Sequence, residues 1–438
     1  MPGSRFAEAA GILVKAGLLE RDGADASYTL HRLTREALRL RLKDGPGGAK
    51  ERLANRLLEF LKDENVIRRT KAVIDGKEVI IPEYWNALVR DEMSQVDPYW
   101  RIIKHVVREV GGDRRIVDFA MVLTHYMDSR FLNDERKAML VAAIGMLDQK
   151  ANNKRLPDDE QKQAASTAAL LRIDALAWTQ TEEMMLDEAI AAIDEGEKAL
   201  ARQDDPDLRA LAHCWRARIE CAREKWDEAE ACLEKLHSPA PLSPWIRMRT
   251  EMMQGDYFHM RGQPKRALEH YRKAEAFAED YGGEGNGYQT SPRIGIALMA
   301  TASLLDKEED DLNKKAAEEN GPRKSQPGNT GDAKPSREEL EKTGRRPGTL
   351  ADERRRCLEE AELRFQRLVE NEGVSIGQLY GRYGRALIAA RKKSTREAMR
   401  ELQLIWQELY HRGGPGSQLL KLTEKLYTEI KDGRTGAA

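Results

Sequence analysis

The stretch REKWDEAEACL, residues 223–233, joins a turn to an acidic helix start and places Ala229 four residues before Leu233. A spacing of four puts both side chains on one helical face. The same arrangement occurs three more times, in the pairs Ala189 and Ile193, Ala267 and Tyr271, and Ala398 and Leu402. These four copies predict four helices with equivalent apolar faces.

A small residue lies twelve positions before each of these alanines, at Ala177, Ala217, Gly255 and Ala386. A small side chain allows a neighbouring helix to approach closely, so each copy predicts an antiparallel helical hairpin. The step between the first three alanines is 40 and then 38 residues. That step is longer than the roughly 34 residues of a tetratricopeptide repeat.

Over about residues 165 to 430, the pattern resembles the tetratricopeptide-repeat family with stretched turns. The small first-helix residue, the alanine that begins the second helix and the apolar residue after it all match. The tyrosine position of the first helix departs from the family in most copies, with Gln180, Glu220, Phe258 and Ala389. The resemblance implies an all-α solenoid of helical hairpins whose inner groove is lined by first helices.

The composition of the chain agrees with a large helical protein. The 438 residues carry 34% charged and 6% aromatic side chains, with a formal net charge of −1. No global basic field attracts nucleic acid, no apolar run is long enough for a bilayer, and the start MPGSRFAEAA lacks a signal-peptide core. We therefore expect a cytoplasmic chain without a membrane or nucleic-acid partner.

The four cysteines form no CxxC pair and predict reduced, mostly buried thiols rather than a metal site: Cys214, Cys221, Cys232 and Cys357. The chain also lacks the local signatures of metalloproteases, serine hydrolases and cysteine proteases. The glycine-rich segment 44–50 lacks the spacing of a phosphate-binding loop. We therefore expect no catalytic site and no ATP hydrolysis by this chain.

Residues 1–45 predict a helix, a short strand at 27–31 and a second helix, which is a partial winged helix with a short β-hairpin. The segment AGLLERDG followed by YTLHRLTREAL resembles the winged-helix part of STAND ATPases of the NB-ARC class. His31 matches the histidine that contacts the ADP phosphate in that family, whereas Arg32 replaces the family's aspartate. The resemblance implies that ADP or ATP binds only together with an upstream nucleotide-binding module.

The remaining chain divides by composition. Residues 46–160 predict a connecting helical region with a β-hairpin near 66–81, and its last two helices are either part of that region or degenerate opening repeats. Residues 161–312 and 351–438 carry the repeats. Residues 313–350 have almost no large apolar side chain and predict a disordered insertion that joins the two helices of one repeat.

Recognition is the function that this pattern favours, through a protein or peptide partner in the solenoid groove. Its arginines favour an acidic tail or a carboxylate. The candidate partner-binding residues on the first helices are Arg172, Arg216, Arg247, Tyr257, Arg382 and Arg385.

Three functions agree with these features. The first is the sensor region of a STAND-type signalling NTPase, coupled to nucleotide state through His31 and to an NTPase module or effector subunit. The second is a winged-helix transcriptional regulator whose repeats sense an inducer. The third is a scaffold subunit of a larger enzyme complex.

Overall fold

The structure is a computed structural model that describes residues 19–22, 27–30, 49–62, 71–74, 77–86, 96–110, 112–200, 205–236, 242–282, 287–319, 347–370, 376–411 and 418–433. Helices make up nearly all of these residues, so the all-α class is confirmed. The chain divides into two compact units, residues 1–56 and 57–438.

In the first unit, β1 (Leu19–Asp22) pairs antiparallel with β2 (Ser27–Leu30), and α1 (Ala49–Leu61) begins at its end. The strand predicted at 27–31 agrees with β2. The two helices predicted on either side of these strands, and His31 itself, lie outside the described residues.

The second unit opens with the predicted β-hairpin. β3 (Lys71–Ile74) pairs antiparallel with β4 (Lys77–Ile80), and Ile74 stands opposite Lys77. Helix α2 (Glu83–Asn86) follows, and a short 3-10 turn, Asp97–Tyr99, leads into α3 (Trp100–Glu109). Helix α2 places Tyr84 and Trp85 in the core, where each is less than 5% exposed.

Six helical hairpins follow in the described residues, and each packs against the next in chain order. A cap helix, α17 (Gln418–Lys431), packs on the last one. In the second hairpin, the first helix is interrupted by a π-helical turn, Leu171–Leu176. The hairpins are α4 (Arg115–Ser129) with α5 (Asn133–Ala151), α6 (Asp158–Leu170) and α7 (Ala177–Glu182) with α8 (Leu186–Leu200), α9 (Pro206–Ala222) with α10 (Trp226–Glu234), α11 (Pro244–Met260) with α12 (Pro264–Gly282), α13 (Gly287–Glu319) with α14 (Pro347–Glu370), and α15 (Ile376–Arg391) with α16 (Thr395–His411).

All twelve positions of the sequence signature are buried, as the pattern predicts. At Gly255, an added Cβ would stand 2.4 Å from a ring carbon of Tyr271. The small residue therefore makes room for the bulky residue of its own hairpin.

Five of the hairpin turns share one backbone conformation. Five residues before the repeat-alanine position of each of these hairpins, one residue has a φ between 57° and 70°. The next N–H donates to the carbonyl five residues earlier at 2.8 to 2.9 Å, which ends the first helix in the same way each time. The residues with positive φ are Phe131, Met184, Glu224, Gly262 and Lys393, although this conformation favours glycine.

The shared turn identifies α4 and α5 as an opening hairpin of the same kind. Arg136 holds the position of the repeat alanine, and Leu140, four residues later, is fully buried. Thr124 holds the small position twelve residues earlier, also fully buried. Of the two alternatives for these helices, the structure favours a degenerate opening repeat.

The hairpin of α13 and α14 carries the signature in a form that the insertion hides. Ala361 and Phe365 are four residues apart and fully buried, and a Cβ added at Gly295 would stand 2.6 Å from the Phe365 ring. The predicted insertion bounds, 313–350, need correction because α13 continues to Glu319 and α14 begins at Pro347. Lysine, alanine and glutamate at 314–319 are strong helix formers, which explains the extension. Residues 320–346 lie outside the described residues.

The stack of hairpins also closes on itself. Phe131, in the first hairpin turn, belongs to the same apolar cluster as Leu379 and Tyr383 of α15. The last hairpin therefore lies against the first, because the curvature accumulated from one hairpin to the next brings the two together.

Candidate ligand cavity

A cavity of about 710 Å³ lies within the stack and is lined mainly by the first helices. The residues that line it recur at fixed positions before the repeat alanine, chiefly seven or eight, eleven, and fourteen or fifteen residues. These offsets lie on one helical face. At offset eleven, successive repeats contribute Trp178, Arg218, Asp256 and Leu387.

Aromatic side chains form much of the cavity wall. Trp178 and Trp215 stack with ring centroids 5.8 Å apart. Tyr271, Tyr380 and Tyr383 line the wall formed by the later hairpins. Burial raises the pKa of Tyr383 to about 12, so its phenol is neutral at pH 7. Such a wall offers flat apolar surface together with hydroxyl groups that accept or donate hydrogen bonds.

A fully buried carboxylate lies behind the two tryptophans. The π-helical turn places Asp174 so that it accepts hydrogen bonds from Tyr84 Oη at 2.7 Å and Trp215 Nε1 at 2.9 Å. Arg249 Nη2 donates to Asp174 Oδ2 at 3.4 Å, and this is the same oxygen that accepts from Tyr84. π-Helical turns often accompany functional sites, because they re-aim a side chain inside a helix. Asp174 thereby connects α2 with residues of the cavity wall.

Two arginines stack on one tryptophan beside this carboxylate. The Arg136 and Arg249 guanidinium groups lie 4.8 Å and 4.7 Å from the Trp178 ring centroid. Arg136 Nη1 donates to Asp128 Oδ1 at 2.7 Å, but its Nε and Nη2 have no hydrogen-bond partner among the described residues. Burial raises the pKa of Asp128, and the two arginines oppose that effect. The charged groups in this part of the wall therefore balance one another.

A second compensated group lies in the wall of α11 to α13. Asp256 accepts hydrogen bonds from Tyr271 Oη at 2.8 Å and from Arg293 Nε at 3.0 Å. Burial acts to raise the pKa of Asp256, but Arg293 and Arg218 outweigh burial and hold the pKa below its usual value. Asp256 is therefore an anion at pH 7, fixed by its neighbours.

Glu182 differs from the other cavity carboxylates. It ends α7 and lines the cavity, but it makes no hydrogen bond and no ion pair with the described residues. Burial raises the pKa of Glu182, and the electrostatic effect of Arg218 opposes the rise. The cavity thus contains one carboxylate whose compensation is incomplete.

None of the six residues proposed from the sequence as partner-binding lines this cavity. Arg172 pairs with Asp148, and Arg216 pairs with both Asp194 and Glu197. These ion pairs join a first helix to the second helix of the preceding hairpin.

The other four residues also lie outside the cavity lining. Arg382 and Arg385 each contact Glu401 at 3.0 Å. The Arg247 guanidinium lies 4.9 Å from the Phe277 ring centroid, and Tyr257 is only 5% exposed. The structure brings Arg382 and Arg385 together but not the remaining members, and their role in partner binding stays a prediction.

The sequence carries a signal for the cavity residues in their spacing from the repeat alanines. Arg216 and Arg385 lie thirteen residues before their alanines, whereas Arg218 and Asp256 lie eleven before theirs. Two residues rotate a helix by about 200°, so the two sets occupy nearly opposite faces. Extending the alanine alignment backwards along the first helices identifies both faces, but the stacking decides which one turns inward.

The described residues contain no group of side chains arranged to hold a metal ion. Cys214, Cys221 and Cys357 are buried, and Cys232 is partly buried, which agrees with the packing role predicted for them. Burial raises the pKa of Cys221 to about 12, so it is a neutral thiol at pH 7. Within the described part of the chain, no helix combines the length and apolar character needed to span a bilayer.

The fold and cavity define an all-helical protein of stacked hairpins around a binding space. No family model matches the chain. A segment of 119 residues is 32% identical to the transcription activator GutR of Bacillus subtilis (strain 168). The match covers 26% of this chain and 14% of that activator, so the chain corresponds to a small part of the activator's length.

Proposed function

We propose that this chain is the sensor region of a transcription regulator, with repeats of the tetratricopeptide type that bind an effector in the cavity. The observation that carries the proposal is that the first and last hairpins line one cavity, with Asp128 from α4 and Tyr380 from α15. A ligand that contacts both changes the free energy of the contact between them. Occupancy is thereby converted into a change of shape.

The size of the cavity favours a small effector or the end of a peptide over a long extended partner. Ligand cavities usually measure about 300 to 1,000 Å³, and about 710 Å³ falls within this range. The aromatic wall supplies apolar contact area, and the buried charges supply orientation. This arrangement supports binding rather than catalysis.

The regulatory context rests on two likenesses. The partial similarity to a transcription activator supports a role in transcription. The resemblance of residues 1–45 to the winged helix of STAND ATPases supports a nucleotide-dependent form of that role, in which His31 contacts ADP. In this version, effector binding in the cavity releases the winged helix, and the upstream module supplies the nucleotide site.

The test compares transcripts in cells that lack the gene with cells that express defined variants of the full protein. Ala300 lines the cavity, and Ala300→Trp fills it without removing any charge. Ala191 is exposed on α8, so Ala191→Trp is the matched control. We expect wild type and Ala191→Trp to restore regulated transcription, and Ala300→Trp to fold with an unchanged melting temperature but fail to respond. A deletion that alters no transcript, or an Ala300→Trp protein that regulates normally, contradicts the proposal.

A further inference from the structure

The cavity has a polarity that points to one class of ligand. Five carboxylates line it, and four of them have a cation or a hydroxyl partner. Asp128 accepts from Arg136 at 2.7 Å, Asp256 from Arg293 at 3.0 Å, and Asp306 from Arg354 at 2.7 Å. Glu429 lies 4.0 Å from Lys425.

Glu182 is the fifth carboxylate, and it forms no hydrogen bond or ion pair within the described residues. Arg218 and Arg293 both act electrostatically on Glu182, but neither forms an ion pair with it, and Arg218 Nη1 donates to Met260 Sδ at 3.3 Å. A carboxylate that is partly removed from water is costly unless a cation or hydrogen-bond donors compensate it. Within the described residues, no direct contact balances the charge of Glu182.

The position of Glu182 within its repeat explains why its side chain lines the cavity. Glu182 lies seven residues before its repeat alanine, and the residues at the same offset in two later hairpins, Met260 and Arg391, also line the cavity. The side chain at this offset thus belongs to the inward face. The Glu182 side chain is half-buried there, and its partial removal from water raises its pKa.

The aromatic wall suits the same kind of ligand. Burial raises the pKa of the Tyr380 phenol, and Tyr380 is close enough to Glu182 for the carboxylate to raise that pKa further. Trp178 lies four residues before Glu182 on α7, which is about one helical turn away. An ammonium group gains energy both from a carboxylate and from the faces of aromatic rings. A neutral polar ligand would use the rings and hydroxyls but leave the charge of Glu182 unbalanced.

We propose that the cavity binds a ligand that carries a protonated amino group, and that Glu182 receives the ammonium beside Tyr380. The inference rests on the proposed function, because it assumes that the cavity is the effector site. The amino group belongs to the amino terminus of a short peptide or to a free amine, two sources of the same chemistry that the test separates.

The experiment measures binding to the purified full chain by titration calorimetry. The free-amine probes are spermidine and tyramine, and the peptide probe is a Gly-Phe-Gly amide, compared with the same peptide acetylated at its amino terminus. The variants are Glu182→Gln, which keeps the shape of the side chain but removes its charge, and Glu188→Gln, an exposed control on α8. Melting temperatures without probe are recorded for each variant.

We expect at least one amine probe to bind wild type and Glu188→Gln with equal affinity, and Glu182→Gln to bind about ten-fold or more weakly. Acetylation removes peptide binding if the peptide is the source. We also expect Glu182→Gln to melt at the same or a higher temperature, because a neutral amide is less costly to enclose than a charge.

Equal affinity of Glu182→Gln and wild type for the amines overturns the inference, as does a large fall in its melting temperature, which marks a structural carboxylate. Absence of amine binding up to about 1 mM also overturns it. The proposed function survives these results if Ala300→Trp still abolishes regulated transcription. It fails separately if Ala300→Trp regulates normally.

Discussion

The buried pair of Arg136 and Asp128 gives the sharpest prediction about stability. Arg136 is fully buried at the position of the repeat alanine, and its Nη1 lies 2.7 Å from Asp128 Oδ1. Arg136→Met keeps an unbranched apolar stem at this position but removes the guanidinium group, which leaves Asp128 without this cation. The loss of one partner of a buried pair costs about 3 to 5 kcal/mol.

Part of that cost is offset. Arg136 also buries two nitrogen groups, Nε and Nη2, that have no hydrogen-bond partner among the described residues. Their removal relieves a penalty of about 1 to 3 kcal/mol. We therefore expect Arg136→Met to lower the free energy of unfolding by about 2 kcal/mol near pH 7, measured by urea unfolding followed by circular dichroism.

Two controls accompany this variant. Combining Arg136→Met with Asp128→Asn removes both charges, and we expect the double variant to lie within about 1 kcal/mol of wild type. Arg355 makes an exposed ion pair with Asp352 one helical turn away, so Arg355→Met is expected to cost no more than about 0.5 kcal/mol.

The deficit of Arg136→Met also depends on pH in a defined direction. Burial already raises the folded pKa of Asp128, and loss of Arg136 raises it further. A carboxyl group with a raised folded pKa binds its proton more tightly in the folded state, so its penalty falls as pH falls through that pKa. We expect the deficit to shrink between about pH 7 and about pH 4. A constant deficit over this range, or a double variant as unstable as the single one, refutes the reasoning.

Three further predictions follow from the packing and the turns. Gly255→Ala should lower the free energy of unfolding by about 1 to 3 kcal/mol, because its Cβ meets the Tyr271 ring at 2.4 Å. Gly145→Ala, with no atom within 4 Å of the added Cβ, should stabilise α5 by about 0.5 to 1 kcal/mol. Equal urea midpoints for the two variants would contradict this. Glu224→Gly should raise the melting temperature, since the residue has a φ of 60° that costs a non-glycine residue about 1 kcal/mol; an unchanged or lower temperature argues against strain there. His125 is fully buried without a hydrogen bond among the described residues, and burial followed by Arg249 and Arg136 lowers its pKa, so wild type should lose stability as pH falls below about 6.5. His125→Phe should reduce this loss, and an identical pH profile would show that another group causes it.

The packing of the hairpins was predictable because it depends on local spacing. Alanine and a bulky residue four apart, with a small residue twelve earlier, fix which faces of two consecutive helices meet, and the structure buries all twelve positions. The β-hairpin predicted near 66–81 likewise agrees with the pairing of β3 with β4.

The opening hairpin could not be recognised from the sequence pattern, because its spacing is kept but the residue type at the alanine position is changed. Arg136 stands where the pattern requires alanine, and a buried arginine is admissible only because Asp128 and Trp178 are brought against it by folding. The positive φ at Phe131, which reveals the shared turn, is a property of the backbone that the residue type conceals.

The amino-acid order alone determined that this chain forms helical hairpins, since helix periodicity and close approach are set within about forty residues. It did not determine that the hairpins close into a ring, which depends on small rotations summed over six of them in the described residues. That sum selects the inward face, turning Arg218, Asp256 and Glu182 towards the cavity and Arg216 and Arg385 away from it. The chemistry of the site is therefore a product of superhelical geometry, although every residue in it is already present in the linear sequence.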